Sequence, residues 1–274
     1  MKIAFDTHLH TEFSTDSSTP LLVQLSRAEE LSLQGLCITD HMDYDFPASA
    51  LEHPVEGIPF CFDWPSYTQM LESARSHTRL TLYTGVECGL QKTPDVREKN
   101  KQLRSQPALD FMIGSLHLVE GQDPYYPSFW RKKNPRLCIL QYFESLYENL
   151  QLFHDFDALG HLDYIVRYAP SDFSYIPDDY RDILDSILTF LIQKDIALEV
   201  NTSGFKTEGR CQNPHLDILT WYHERGGELI TVGSDAHTPD YVAYRFDSVA
   251  DCLQKTGLRQ YVVYQKHKPV FYDL

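Results

Sequence analysis

The sequence has no long apolar run and no closely spaced pair of cysteines. No stretch approaches the ~20 consecutive apolar residues that a transmembrane helix needs, so we expect no membrane partner. The six cysteines are scattered without a Cys-x-x-Cys pair, and Asp6 and His8 come too early to leave room for the apolar core of a secretory signal. These absences predict reduced thiols and a cytoplasmic location.

Basic residues are scarce relative to acidic ones. The chain has 24 Lys and Arg against 39 Asp and Glu, and its formal net charge is −15. Nucleic acids and anionic membranes bind proteins through a basic surface, so this balance argues against both kinds of partner. An acidic protein is well suited to gather several divalent cations, which can in turn hold an anionic substrate.

The 274 residues also lack a Gly/Ser/Pro-rich linker, an internal repeat and a low-complexity tract. We therefore predict a single domain over residues 1–274. Short apolar runs alternate with longer segments of helical period, which predicts βα units around a parallel sheet. The predicted strands are seven, at residues 2–8, 35–40, 79–87, 110–116, 157–161, 196–202 and 229–234. The predicted helices cover residues 20–33, 66–76, 136–154, 179–194, 214–226 and 247–256, and residues 261–264 form a possible final strand.

Two segments, residues 43–65 and 121–135, fit no βα unit. Both are rich in proline, aromatic and acidic residues, and both follow the end of a predicted strand. Loops at these positions often cover a substrate. We expect a lid or a pocket wall in each segment; the alternative is an ordinary surface loop.

Histidines and carboxylates recur at the ends of the predicted strands. His8 and His10 are spaced i, i+2, which places both imidazoles on one face of a strand. Such a pair alone also arises by chance. The pattern is repeated down the chain by His41, Glu87, His117, His161, Asp235 and His237, with Asp16 in the first loop. The carboxyl ends of parallel barrel strands open onto one face, so these dispersed side chains are expected to converge on bound metal ions.

The motifs that carry these residues resemble the PHP (polymerase and histidinol phosphatase) superfamily, and within it the histidinol-phosphate phosphatases. In chain order they are Asp6-Thr7-His8-Leu9-His10, Thr39-Asp40-His41, Gly85-Val86-Glu87, Gly114-Ser115-Leu116-His117, Gly160-His161-Leu162-Asp163, Glu199-Val200-Asn201-Thr202-Ser203-Gly204 and Gly233-Ser234-Asp235-Ala236-His237. The resemblance implies an α/β fold, a distorted (β/α)7 TIM-like barrel of the PHP type. It also implies three divalent metal ions, which are zinc, manganese or iron.

The resemblance further implies which residues hold each metal. The first metal would be bound by His8, His10, Glu87 and Asp235, and the second by Glu87, His117 and His161. The third would be bound by Asp16, His41 and His237, although many relatives carry histidine where this chain has Asp16. Asp235 would also orient the attacking water. Asp6, Asp40 and Asp163 are expected to accept hydrogen bonds from imidazole N–H groups, and the role of Glu199 stays open.

The activity implied by the resemblance is hydrolysis of L-histidinol phosphate, a step of histidine biosynthesis. Arg167, Lys206 and Arg245 are candidates to bind the phosphate. Asp43 and the acidic and aromatic residues of 43–46 and 123–130 are candidates to contact the ammonium and imidazole groups. The alternatives are a phosphoesterase for a nucleotide or another small phosphomonoester, a metal-dependent amidohydrolase, and a metal-binding structural protein. An amidohydrolase of this type often uses a carboxylated lysine, and no lysine stands at a strand end here. The sequence indicates neither the acid that protonates the leaving group nor the oligomeric state.

Overall fold

Parallel β-strands form the centre of the fold. The structure is a computed structural model that describes residues 3–47, 59–207 and 210–274. Seven strands follow one another around the sheet, and the short β3 pairs beside β4. The strands are β1 (Phe5–Leu9), β2 (Gly35–Ile38), β3 (His41–Met42), β4 (Thr81–Gly89), β5 (Phe111–Ser115), β6 (Ala158–Leu159), β7 (Ala197–Asn201) and β8 (Ile230–Gly233). Every pair of neighbouring strands in this sheet is parallel, as predicted.

The sheet curls until its first and last strands meet. The amide of Asp235 donates to the His8 carbonyl at 2.8 Å, and the amide of His10 donates to the Ala236 carbonyl at 2.9 Å. The pairing of β1 with β2 shifts register between Asp6 and Leu9. The result is a nearly closed barrel with a local irregularity in β1, which confirms the predicted distorted (β/α)7 architecture.

Helices surround the barrel in the order that the sequence predicts, with two additions. The helices are α1 (Leu21–Glu30), α2 (Trp64–Arg75), α3 (Pro94–Arg104), α4 (Pro127–Trp130), α5 (Pro135–Leu152), α6 (Arg181–Gln193), α7 (Leu216–Glu224) and α8 (Phe246–Thr256). The prediction omitted α3 because this helix buries only Val96, Asn100 and Leu103. The buried face of α3 thus has only two apolar residues, which are seven positions apart, and most of its other residues are polar or charged, so too few apolar residues mark the helix. At the end of α8, Gly257 has φ +101°, a left-handed conformation that ends a helix at low cost for glycine.

A C-terminal hairpin covers the end of the barrel that faces away from the strand carboxyl ends. It consists of β9 (Gln260–Gln265) and β10 (Lys268–Asp273), and β10 was not predicted. Val262 and Tyr264 of β9 pack in one buried cluster with residues of the barrel strands, and the Tyr264 ring stacks on Phe111 with centroids 5.4 Å apart. The hairpin therefore fills this end of the barrel, and the opposite end stays open to ligands.

The remaining predictions about segments are partly tested. Of the predicted lid at 43–65, residues 48–58 lie outside the described residues. All six cysteines are unpaired, as expected. Among the helices of the described ranges, none is long and apolar enough to cross a membrane.

Candidate metal centre and substrate cavity

His8 and His10 extend from β1 into the open end of the barrel. Their Nε2 atoms lie 3.1 Å apart, and both side chains are fully buried. This confirms the prediction, based on the two-residue period of a strand, that the two imidazoles share one face. His10 is neutral because burial, together with the neighbouring His237 and His41, holds its pKa well below the usual range.

Glu87 stands at the centre of the cluster. Its Oε2 lies 3.1 Å from His8 Nε2, and its Oε1 lies 3.1 Å from His117 Nε2 and 2.9 Å from His161 Nε2. The Oε2 atom is also 3.1 Å from His41 Nδ1, because β3 pairs with β4 and sets His41 beside Glu87. Burial favours the protonated acid, but His8, His117 and His41 outweigh it and hold the pKa of Glu87 well below its usual value. Glu87 is therefore a carboxylate shared by two groups of imidazoles.

Asp235 follows β8 with a strained backbone. Its φ is +54°, a left-handed value that a non-glycine residue rarely adopts. This turn brings Asp235 Oδ1 to 3.4 Å from His10 Nε2 and 3.5 Å from His237 Nδ1. Burial alone would raise the pKa of Asp235. The neighbouring His10 and His8 have the larger effect and hold this pKa well below its usual value, so the side chain is ionised.

Asp16 completes the cluster at its rim. Its Oδ2 lies 3.1 Å from His237 Nε2 and 3.7 Å from His41 Nε2. The Asp16 side chain is 41 % exposed, whereas that of Glu87 is 1 % exposed. The structure thus brings together all nine residues predicted as metal ligands, with Asp16 the most accessible of those compared.

The donors of this cluster fit divalent metal ions. Three overlapping groups have their ligand atoms within 4.8 Å of one another: His8, His10 and Glu87; His41, Glu87 and His117; and His10, His41 and His237. Imidazole nitrogens and carboxylate oxygens in this proportion suit zinc, manganese and iron. The Nε2 atoms of His8 and His10 face each other at 3.1 Å, so one metal ion could take both as ligands. Because Glu87 belongs to two of the groups, a shared carboxylate is chemically reasonable there.

The predicted imidazole acceptors are wrong. Asp6, Asp40 and Asp163 accept hydrogen bonds mainly from backbone amides, hydroxyls and a side-chain amide. Their donors are Ser234 and Ala243 for Asp6, Thr11 and Ser14 for Asp40, and Asn213 and His215 for Asp163. The hydrogen bonds of these aspartates hold the strand ends and loops next to the cluster. The aspartate side chains do not contact the metal-binding imidazoles directly.

Other side chains orient the imidazoles instead. Glu199 Oε1 lies 2.5 Å from His8 Nδ1, and its Oε2 accepts from the His161 amide at 2.8 Å. Ser14 Oγ lies 2.9 Å from His10 Nδ1, and Asp43 Oδ2 lies 2.8 Å from His117 Nδ1. A carboxylate behind a ligating imidazole fixes its tautomer and increases its basicity. The role left open for Glu199 is therefore that of a group that orients His8.

A cavity of about 500 Å³ opens above the cluster. Arg167 and Lys206, two of the predicted phosphate-binding residues, line it, and their contact with phosphate stays a prediction. The Arg167 guanidinium donates to Ser203 Oγ and lies 3.5 Å from Asp235 Oδ2, and Lys206 Nζ donates to the Asp235 carbonyl at 2.9 Å. Both cations are thus held beside Asp235 at one wall of the cavity.

Two predicted substrate contacts need correction. Arg245 is exposed in the turn that leads into α8 and is not among the described residues that line the cavity. Its position does not support a phosphate contact. Asp43 does line the cavity, but its Oδ2 is engaged by His117. The structure therefore gives Asp43 a role in orienting His117, and a direct substrate contact for it stays a prediction.

Ser203 and Asn201 also belong to the site, although their motif alone indicated no role for them. Ser203 Oγ donates to Asp235 Oδ2 at 2.9 Å, and Asn201 Nδ2 lies 3.4 Å from the same oxygen. Together with Arg167 they place three polar groups around Oδ2, and Oδ1 faces His10 and His237. Both residues belong to the Asn-Thr-Ser-Gly motif, and the i, i+2 spacing of Glu199 and Asn201 was the available signal that both point into the barrel.

Comparisons with known proteins identify the family to which the chain is similar. The sequence model of the PHP domain family matches residues 6–203. The probable histidinol-phosphatase of Clostridium acetobutylicum is 32% identical over 272 residues, which are 99% of this chain and 97% of that protein. The histidinol-phosphatase of Lactococcus lactis is 28% identical over 96% of this chain and 95% of that protein.

The fold has a solved counterpart. The crystal structure of histidinol phosphate phosphatase from Lactococcus lactis, complexed with zinc, L-histidinol and phosphate, superposes with a TM-score of 0.86 at 26% identity, and the match covers 98% of this chain and 99% of that one. A crystal structure from Listeria monocytogenes shares the fold with a TM-score of 0.72 at 19% identity, covering 89% of this chain and 99% of that one. The barrel, the cluster at its open end and the match over most of its length show that the chain belongs to the PHP domain family.

Proposed function

We propose that the chain is a metal-dependent phosphomonoesterase that hydrolyses L-histidinol phosphate to L-histidinol and phosphate in histidine biosynthesis. The observation that carries the proposal is the buried cluster of imidazoles and carboxylates beneath a cavity with Arg167 and Lys206 at its wall. The histidinol-phosphatase names of relatives that align along nearly the whole chain support the same substrate. The reduced cysteines are compatible with the cytoplasmic location that we also propose.

We assign the metal ligands as the sequence motifs imply. His8, His10, Glu87 and Asp235 would hold one ion; Glu87, His117 and His161 a second; and Asp16, His41 and His237 a third. The proximity of His41 Nδ1 to Glu87 gives His41 a second possible partner, but its Nε2 faces Asp16. Divalent ions held by these residues, which we propose to be zinc, manganese or iron, would neutralise phosphate charge and lower the pKa of a bound water.

The protein's own groups would align the phosphate and the attacking water. Arg167 and Lys206 can donate hydrogen bonds to phosphate oxygens. Such hydrogen bonds are strong because both partners are charged. Asp235, with its Oδ2 held by Ser203, can accept a hydrogen bond from the water and hold it in line with the leaving oxygen. Hydrolysis then forms a bond from the water oxygen to phosphorus and breaks the bond from phosphorus to the alcohol oxygen, which gains a proton.

Phosphate release from a panel of phosphomonoesters tests this function. The purified chain, loaded in turn with zinc, manganese and iron, should show its highest kcat/KM for L-histidinol phosphate among histidinol phosphate, 4-nitrophenyl phosphate and a nucleoside monophosphate. The chelator-treated protein is the control and should release little phosphate. A preference for the nucleotide would favour the alternative phosphoesterase, and no release from any ester under any metal would contradict a phosphatase.

A further inference from the structure

One acid of the cavity is left without a cation. Five carboxylates line the cavity, and four of them lie within 3.5 Å of a histidine nitrogen: Asp16, Asp43, Glu87 and Asp235. Asp123 is the exception, because in the described part of the chain it forms no ion pair. Its Oδ1 accepts a hydrogen bond from the Tyr125 amide at 2.8 Å. Asp123 thus presents a carboxylate to the cavity that the protein itself does not neutralise.

Desolvation makes this unpaired charge costly. Burial raises the pKa of Asp123 to about 6, and the nearby carboxylates Asp43 and Asp16 also raise it, while the Tyr125 amide and His117 lower it. A charge that is partly removed from water without a partner destabilises the protein unless something else pairs with it. A cationic ligand in the cavity would supply the missing partner.

Aromatic rings also line the cavity that Asp123 faces. The Tyr125 ring lies 5.3 Å from the Tyr168 ring, and the Tyr164 ring lies 5.6 Å from the His117 ring. Tyr125 is 54% exposed although it is a large aromatic residue. The Arg167 guanidinium lies 5.3 Å from the Tyr164 ring and 5.9 Å from the Tyr168 ring, so these two rings already face a cation of the protein. Tyrosine faces attract ammonium and other cations, so the exposed Tyr125 ring and Asp123 together form a wall suited to positive charge.

The cavity therefore has a negatively charged group on one wall and positively charged groups on another. Asp123 belongs to the loop that follows β5, whereas Lys206 and Asp235 follow β7 and β8. Arg167 and Lys206 gather beside Asp235 and can accept the phosphate there. A substrate that carries phosphate at one end and a cation at the other matches both walls at once.

We propose that Asp123, together with the neighbouring Tyr125 ring, determines specificity by binding a cationic group on the alcohol part of the phosphomonoester. This inference rests on the proposed phosphatase function and names the residue that selects its substrate. Asp43, which the sequence also suggested for this task, differs from Asp123 because its Oδ2 is already engaged by His117. The two aspartates should therefore have different effects on substrate choice.

The test compares Asp123→Asn with Glu120→Gln in the metal-loaded enzyme. Glu120 lies in the same loop, is exposed and is not among the described cavity-lining residues, so its variant removes the same charge from the neighbourhood without touching the ligand. For Asp123→Asn, kcat/KM for L-histidinol phosphate should fall roughly tenfold or more, mainly through KM, while the value for 4-nitrophenyl phosphate changes less than about twofold. Glu120→Gln should leave both values near those of the parent enzyme. Asp43→Asn should lower both substrates' values by similar factors.

Binding measurements separate the inference from the proposed function. Titration calorimetry with L-histidinol should give a Kd that rises for Asp123→Asn by a factor similar to that of KM, while the Kd of inorganic phosphate stays the same. If the parent enzyme binds no L-histidinol, the proposed substrate is wrong. If the parent enzyme binds it and Asp123→Asn binds it equally well, or if the variant impairs both esters equally, Asp123 does not determine specificity. A thermal melt of the variant identifies any loss of fold.

Discussion

Individual residues of the site are connected through Glu87 and Asp235. Each carboxylate has one oxygen for one set of neighbours and one for another: Glu87 Oε1 faces His117 and His161, and Oε2 faces His8. Asp235 Oδ2 receives the protein's donors, and Oδ1 faces the imidazoles. Because each carboxylate oxygen has its own neighbours, single substitutions at different positions should differ in their effects on metal content and on turnover.

Glu87→Gln should abolish most activity with little loss of fold. The change removes the charge that two proposed metal sites share, and loss of several kcal/mol of transition-state stabilisation would lower kcat by roughly 10²–10³-fold or more. Steady-state kinetics and elemental analysis on the same sample are the measurements. Glu98→Gln, on the exposed face of α3, is the matched control. Near-normal turnover of Glu87→Gln with full metal content would refute the shared-ligand assignment.

Asp16→Ala should remove one metal and spare the others. Asp16 contacts only the rim of the cluster, through His237 and His41. Elemental analysis should show a loss of about one ion per chain, because the remaining ligands are too few to retain it. Asp16→His, which keeps a metal-ligating side chain at the rim, should restore the ion. An unchanged metal content in Asp16→Ala would mean that another group completes the rim site.

Arg167→Ala should weaken both binding and turnover of phosphate esters. The guanidinium faces the cavity beside Asp235 and can hold phosphate in the ground state and in the transition state. Loss of one charge-assisted contact costs roughly 1.5–3 kcal/mol, which appears as a higher KM together with a lower kcat. Arg245→Ala is the natural control, since Arg245 is exposed away from the cavity and should have no effect. The opposite ranking of the two variants would transfer the phosphate contact to Arg245.

At the scale of elements, the C-terminal hairpin and the strand ends have separate tasks. The open end of the barrel holds the metal cluster, and β9 fills the other end with Val262 and Tyr264. The hairpin turn is also anchored by polar contacts: the His267 amide donates to the Asp110 carbonyl at 2.9 Å, and Lys266 Nζ lies 3.3 Å from Asp110 Oδ1. The hairpin should therefore contribute to stability without taking part in chemistry.

Tyr264→Ala should destabilise the protein by about 3 kcal/mol and leave the kcat of the folded enzyme unchanged. The substitution empties a buried position against Phe111, far from the open end of the barrel. Urea unfolding measures the stability and a kinetic assay at low temperature measures kcat. Val270→Ala in β10, whose side chain is 40% exposed, should change stability by less than about 0.5 kcal/mol. A large fall in kcat for Tyr264→Ala would show that the two ends of the barrel are coupled.

At the scale of the whole molecule, metal binding and folding should be linked. Buried carboxylates and imidazoles from nearly every barrel strand meet at one end, so any ion held there crosslinks strands that are distant in sequence. An ion that binds only the folded state adds about 2.7 kcal/mol of stability when its concentration is a hundred times its Kd. The closed barrel is thus expected to depend on its ligands as well as on its apolar core.

Removal of the metals should lower the Tm of the whole chain. Calorimetric scans before and after dialysis against a chelator should show the decrease, and added zinc or manganese should reverse it. The Glu87→Gln variant is the informative comparison, since it should bind less metal and lose less Tm on dialysis. An identical Tm with and without bound ions, verified by elemental analysis, would contradict the linkage.

The sequence alone determined the features that follow from local periods. The two-residue period of a strand put His8 and His10 on one face, and the alternation of apolar and helical segments predicted all seven barrel strands. Because parallel strands of a barrel end at one face, the predicted ligands had to converge. Glycine at the end of α8 was likewise readable, since its left-handed conformation is a local property.

Tertiary structure decided which of the gathered groups contact one another. Asp43 and His117 are 74 residues apart, and Glu199 and His8 are 191 apart, yet each pair is in direct contact. No local pattern distinguishes an aspartate that supports an imidazole from one that faces the cavity, as Asp123 does. The local sequence determines which residue types stand at the strand ends. The packing of distant loops decides which side chains contact one another, which are accessible, and which charged groups remain unpaired.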